Sequence, residues 1–204
     1  MANCNVAELR AALTSSIEYC RNHRDRDFCD RHLPRLERAL EKFEESRDES
    51  DRLYVDWRED WNAEKQAWKA LSEILRDVQN QLDSMNVTGY PDARVRYWDA
   101  EELDGVVEQM KTFLREDADD IEGSGDLADK IERRQESAHD AKKAQENSRD
   151  VYRGRVRKRS DARGQAVEAV RDFREVMRET LGVDNDDYQS IRWPYAVSPD
   201  DAVI

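Results

Sequence analysis

The stretch LPRLERALEKFEESRDESDRLYVDWREDWNAEKQAWKALSEILRDVQNQLDSM, residues 33–85, decides the fold. A 3-4 spacing runs unbroken through Leu33, Leu36, Leu40, Phe43, Arg47, Ser50, Tyr54, Trp57, Trp61, Glu64, Trp68, Leu71, Leu75, Val78, Leu82 and Met85. Thirteen of these sixteen positions are apolar or aromatic. A period of 3.5 residues keeps one narrow seam against a neighbouring helix, so the segment predicts a long helix, Leu33 to Met85, in a left-handed coiled coil. Pro34 would sit in its first turn, where a missing N–H costs little.

Working outward, residues 35–90 and 92–193 contain no proline, which permits further long helices. A second helix is expected from Asp126, as N-cap, to Leu181, ended by Gly182. Its large apolar residues, Leu127, Ile131, Val170, Phe173, Met177 and Leu181, stand near its ends, and its middle offers Ala138, Ala141 and Ala144. An antiparallel pairing of residues whose numbers add to about 209 sets small against large, Ala141 facing Trp68 and Phe173 facing Leu36. The same register lays segment 44–60, with eight acidic and three basic residues, beside segment 149–163, with seven basic and two acidic. Arg149, Arg153, Arg155, Arg157, Lys158, Arg159 and Arg163 are therefore read as internal counter-charge rather than as a nucleic-acid surface. The aromatic interleaving of a nucleic-acid module does not accompany them.

Two shorter amphipathic helices complete the pattern. One spans Val6 to Asn22 with a stripe of Val6, Leu9, Leu13, Ile17 and Cys20. The other opens at Asp99, with Glu102 three residues on, and runs through Leu103, Val106 and Met110 towards Ile121. If it ran back down from the end of the first long helix, the second would overhang the bundle and self-association would have to cover it; for it to rise instead, the connector 86–98 must first travel back along that helix, packing Val87, Tyr90, Val95, Tyr97 and Trp98. Thirteen extended residues reach about 43 Å, enough for the crossing. The expected fold is all-α: an elongated antiparallel coiled-coil hairpin of two long helices with two shorter helices packed at its ends. Residues 1–182 would form this single bundle and 183–204 a non-helical tail.

Composition narrows the function classes. Charged residues make up 40% of the chain and mean hydropathy is -1.04, which suits slender bundles better than thick cores. No window approaches the roughly 18 apolar residues of a membrane span, and no secretory leader is legible, so a cytoplasmic protein without membrane contact is expected. The net charge of -13 disfavours nucleic acid as a partner. No glycine-rich phosphate loop, nucleophile elbow or H-E-x-x-H pattern occurs, and enzymatic activity is not expected.

Three constellations remain. Cys20, His23, Cys29 and His32 form a Cys-x2-His pair repeated across a turn, a donor set that could hold zinc, while Cys20 and Cys29 could also form a disulfide or simply pack. Glu136 and His139 have the Glu-x-x-His spacing of di-iron bundles, with Glu64 as a conceivable third ligand, but the second pair is missing. Trp57, Trp61 and Trp68 are expected in the core, with an aromatic binding surface as the alternative. In the tail, Trp193, Pro194 and Tyr195 either dock on the chain's own bundle or bind a partner, and Val203 and Ile204 form an apolar carboxyl end that a groove could capture. The expected function is that of a non-enzymatic structural, scaffolding or adaptor protein, acting through a protein partner or homo-oligomer and needing no cofactor. Zinc binding, and more remotely di-iron chemistry, are the alternatives.

Overall fold

The computed structural model describes residues 5–117 and 121–194. It is all-α, with α1 (Val6–Asn22), α2 (Asp27–Ser84), α3 (Ala100–Thr112) continued by a π-helical turn (Phe113–Asp117), α4 (Ser124–Leu181) and α5 (Asp186–Ser190). None of these helices is long and apolar enough to cross a membrane. The chain groups into two compact units, residues 1–52 with 153–204 and residues 53–152.

Boundaries follow local chemistry. Asn5 caps α1 by accepting from the Ala7 N–H at 3.1 Å. Helix α2 begins at Asp27, six residues before the expected start, because the Arg26 carbonyl already accepts from Cys29 and Asp30 and two aspartates favour the first turn. Pro34 consequently lies inside α2 rather than in its opening turn. Helix α4 starts at Ser124 after Gly123, whose φ of 87° only glycine adopts readily, so Asp126 is a first-turn residue and not the N-cap. At the other end Gly182 is the expected left-handed stop, its N–H bonded to the Arg178 carbonyl.

In the first unit α1, α2 and α4 share a core in which Leu9, Leu13, Leu36, Phe173 and Met177 are fully buried. The two long helices run antiparallel close to the expected register: Arg35 pairs with Asp172, Arg155 with Glu49, and Arg159 with both Asp51 and Ser50. Of the seven basic residues expected as counter-charge, Arg155 and Arg159 take that role, whereas Arg153, Arg157 and Lys158 are exposed. The tail is not free of helix. Asn185 caps the single turn of α5, and Arg174 donates to the Tyr188 hydroxyl at 2.9 Å.

In the second unit the connector does run back along α2. Tyr90 bonds Asp83, the Ala93 N–H reaches Gln79, and the Ser72 hydroxyl donates to the Val95 carbonyl. Helix α3 then rises beside α2 and antiparallel to the start of α4. Lys111, almost fully buried, donates to Glu108 and Gln135, and Gln135 donates in turn to Asp104 and Glu108. Asp99 caps α3 through the Glu102 N–H, as its sequence predicts. Trp68 is buried in the same core as Ala138 and meets the His139 ring edge-on at 5.7 Å, two residues from the expected partner Ala141.

This packing is testable on α4. Ala138→Leu, at a fully buried position, is expected to destabilise by about 1–3 kcal/mol in urea unfolding through overpacking. Ala144→Leu, at an exposed position on the same helix, should stay within about 0.5 kcal/mol of the parent. Equal effects would mean that α4 presents a different face to α2.

Candidate functional site

The concave feature of the second unit grows from one face of α2. Trp61, Glu64, Lys65 and Trp68 stand at i, i+3, i+4 and i+7, the spacing that puts side chains on one helical stripe. Opposite them the returning connector brings Tyr97, Trp98 and Ala100, and together these residues line a cleft of about 420 Å³. The connector can come this close because Ser72 is small and anchors Val95 to α2. After Val95 the chain turns, with the Asp99 N–H bonded to the Arg96 carbonyl, and enters α3.

Within the cleft Trp68 is 4% exposed, while Trp61 and Trp98 stand 47% and 66% exposed. Trp61 thus departs from the expected core position, and Trp98 from the expected packed one. Tyr97 meets Trp98 edge to face, with ring centroids 5.0 Å apart and planes at 82°. Two of the chain's own cations lie over the rings, the Lys65 ammonium 5.7 Å from the Trp61 centroid and the Arg96 guanidinium 5.5 Å from that of Trp98. The half-buried Glu64 carboxylate has no hydrogen bond or ion pair among the described residues. Aromatic faces beside an unpaired carboxylate form an environment suited to a cation.

The Cys/His set is arranged differently. Cys20 and Cys29 are buried free thiols at the α1–α2 turn, close enough to hydrogen-bond each other. Burial pushes both thiols up, that of Cys20 strongly, which favours the neutral, unreactive form. The histidines turn elsewhere: His23 stacks on Tyr19 at 4.3 Å and its Nδ1 lies 2.9 Å from the Tyr19 carbonyl, while His32 faces Phe173. His139 pairs with Asp104 at 3.1 Å, and Glu136 is exposed. Among the described residues no three His, Cys, Asp or Glu side chains gather as a metal site, so neither the zinc set nor the di-iron set is assembled.

Of the tail residues singled out above, Trp193 and Pro194 are placed and Tyr195, Val203 and Ile204 lie outside the described residues. Trp193 packs on Phe173 and Tyr188, donates its indole N–H to the Tyr188 carbonyl at 3.1 Å, and has the Arg174 guanidinium 5.8 Å from its centroid. Asp187 adds a second anchor, accepting from Tyr19 and pairing with Arg26. The visible part of the tail thus belongs to the core of the first unit.

The heptad reading missed the cleft because it scored Trp61 by its seam position. The face shared by Trp61, Glu64, Lys65 and Trp68, two aromatics interleaved with two opposite charges, was the available signal. The placement of Tyr97 and Trp98 against it had none, since nothing local says where a returning connector stops.

Burial, and then the adjacent Arg35, hold the His32 pKa below its ordinary value of 6.5, with Asp172 opposing. Between the folded and unfolded pKa values the unfolded chain binds more protons, so stability falls as pH drops through and below 6.5. His32→Gln should flatten this part of the pH–stability curve. A slope unchanged between pH about 7 and 5.5 in urea titrations would assign it to other groups.

No protein family, curated protein or solved structure matches this chain.

Proposed function

We propose that this chain is a non-enzymatic helical scaffold or adaptor whose second unit makes protein–protein contact through its exposed aromatic face. The observation that carries the reading is where the large apolar side chains emerge. Among the described residues eight large hydrophobic side chains are substantially exposed; Val156 and Val183 belong to the first unit, whereas Tyr54, Val55, Trp61, Met85, Trp98 and Val151, including all three of the exposed aromatics, belong to residues 53–152. Scattered apolar residues need no explanation, but tryptophans grouped at a cleft do, because Trp and Tyr are the side chains that contribute most when an interface is desolvated.

Supporting features lie nearby. Trp57 stacks on Tyr152, with rings parallel to within 2° and centroids 5.7 Å apart, and Tyr54 closes on the same pair. This rigid aromatic surface loses little side-chain entropy when covered. Free thiols at Cys20 and Cys29 accord with a reducing, cytoplasmic setting. The net charge of -13 favours a basic protein partner over nucleic acid.

A photo-cross-linking residue placed at Trp98 should yield a discrete adduct, either with another protein or with a second copy. The same residue at the exposed Arg133 should not. No position-specific adduct in cells, together with a monomer at every concentration in sedimentation velocity, would exclude an interaction role for this face.

A further inference from the structure

We infer that the cleft between Trp61 and Trp98 receives an arginine side chain from a basic segment of a partner protein. The inference rests on the reading of this face as a contact surface and names what enters it. Three properties select the occupant. Trp61, Tyr97 and Trp98 offer aromatic faces, whose negative quadrupole attracts a cation, most strongly one that is weakly hydrated and planar. Glu64 adds a carboxylate, half-buried and without an ion pair or hydrogen bond among the described residues. Lys65 and Arg96 already lie over Trp61 and Trp98, 5.7 and 5.5 Å from the ring centroids, so the entering guanidinium must stack on the opposite faces or displace them.

Other occupants fit less well. An apolar side chain would strip water from Glu64 and return no partner, a cost that grows with burial. An anion would be drawn by Lys65 and Arg96 but would meet the Glu64 carboxylate and the negative field of the whole chain. A lysine supplies charge but lacks the flat guanidinium that can stack on tryptophan while directing two N–H groups to one carboxylate. Arginine satisfies both surfaces at once.

Indole N–H signals from the intact, isotope-labelled chain can be followed by NMR at about 150 mM salt, where diffuse attraction is screened. The probe is the acetylated, amidated peptide Gly-Arg-Gly-Arg-Gly, and its control carries citrulline, the neutral isostere, at both arginines. The Trp61 and Trp98 signals should move saturably with the arginine peptide and stay in place with the citrulline peptide. Glu64→Gln, nearly isosteric, should weaken binding by about tenfold, the scale of a charge-assisted pair. Glu146→Gln removes the same charge at an exposed position and should leave binding unchanged.

Equal binding of the citrulline peptide, equal effects of the two substitutions, or equal shifts of all the indole signals would each overturn the inference. Shifts of Trp61 and Trp98 that follow protein concentration without peptide would overturn it too, making the occupant a second copy. Failure here is separable from failure of the broader reading. A cross-link at position 98 without arginine binding removes the arginine pocket alone, and arginine binding without any cross-link removes the adaptor role alone.

Discussion

Alternation of bulk along the seam between α2 and α4 is the constraint on which the other features depend. Trp68 is buried in a core to which α4 contributes Ala128, Ile131 and Ala138, small side chains among them leaving room for an indole. Further along the seam α4 presents Tyr152 instead, and the aromatics of α2 stack beside it at the surface, where Tyr54 stays 42% exposed. Bulk meeting bulk cannot interdigitate at normal helix separation, so such residues turn sideways. A single heptad pattern therefore produces a dry core in one stretch and an aromatic surface in another.

The polar contacts of the second unit fix what the apolar seam leaves open. Apolar stripes specify which face of α3 is inward but tolerate sliding by a turn. Lys111, Gln135, Glu108 and Asp104 form a connected set whose hydrogen bonds close in one register, and a shifted α3 would leave the buried lysine without partners. Hydrogen bonds that Glu108 accepts from Gln135 and Lys111 hold its carboxyl below the usual range, in keeping with a favourable charged network. The connector is fixed in the same manner by Ser72 and Gln79, and the position of Trp98 follows from where it ends.

In the first unit an analogous role falls to the tail. Tyr188 and Trp193 cover Phe173, while Asp187 bridges Tyr19 and Arg26, so a segment without heptad pattern completes a core begun by three helices. Cys20 and Cys29 sit in that core as small apolar side chains. Their repeated spacing to His23 and His32 reflects helix periodicity on either side of a turn. The ring of His23 stacks on Tyr19 and that of His32 faces Phe173.

The sequence by itself determined the all-α class, the stretches that become α1, α2, α3 and α4, the glycine that ends α4 and the pairing of large with small residues, and it showed that the connector is long enough to run back without deciding that it does. Each of these is governed by local periodicity, capping or chain length, which a sequence carries openly. Tertiary structure alone decided that the connector runs back along α2, that Trp61 is exposed, that Glu64 lacks a partner among the described residues, that His23 and His32 face aromatic rings, and that Trp193 packs against the core. A heptad position states which face a residue occupies, and whether that face is covered depends on how many other helices reach it. The cleft exists because a third helix arrives beside α2 only beyond Trp98, a distance set by where the connector is anchored.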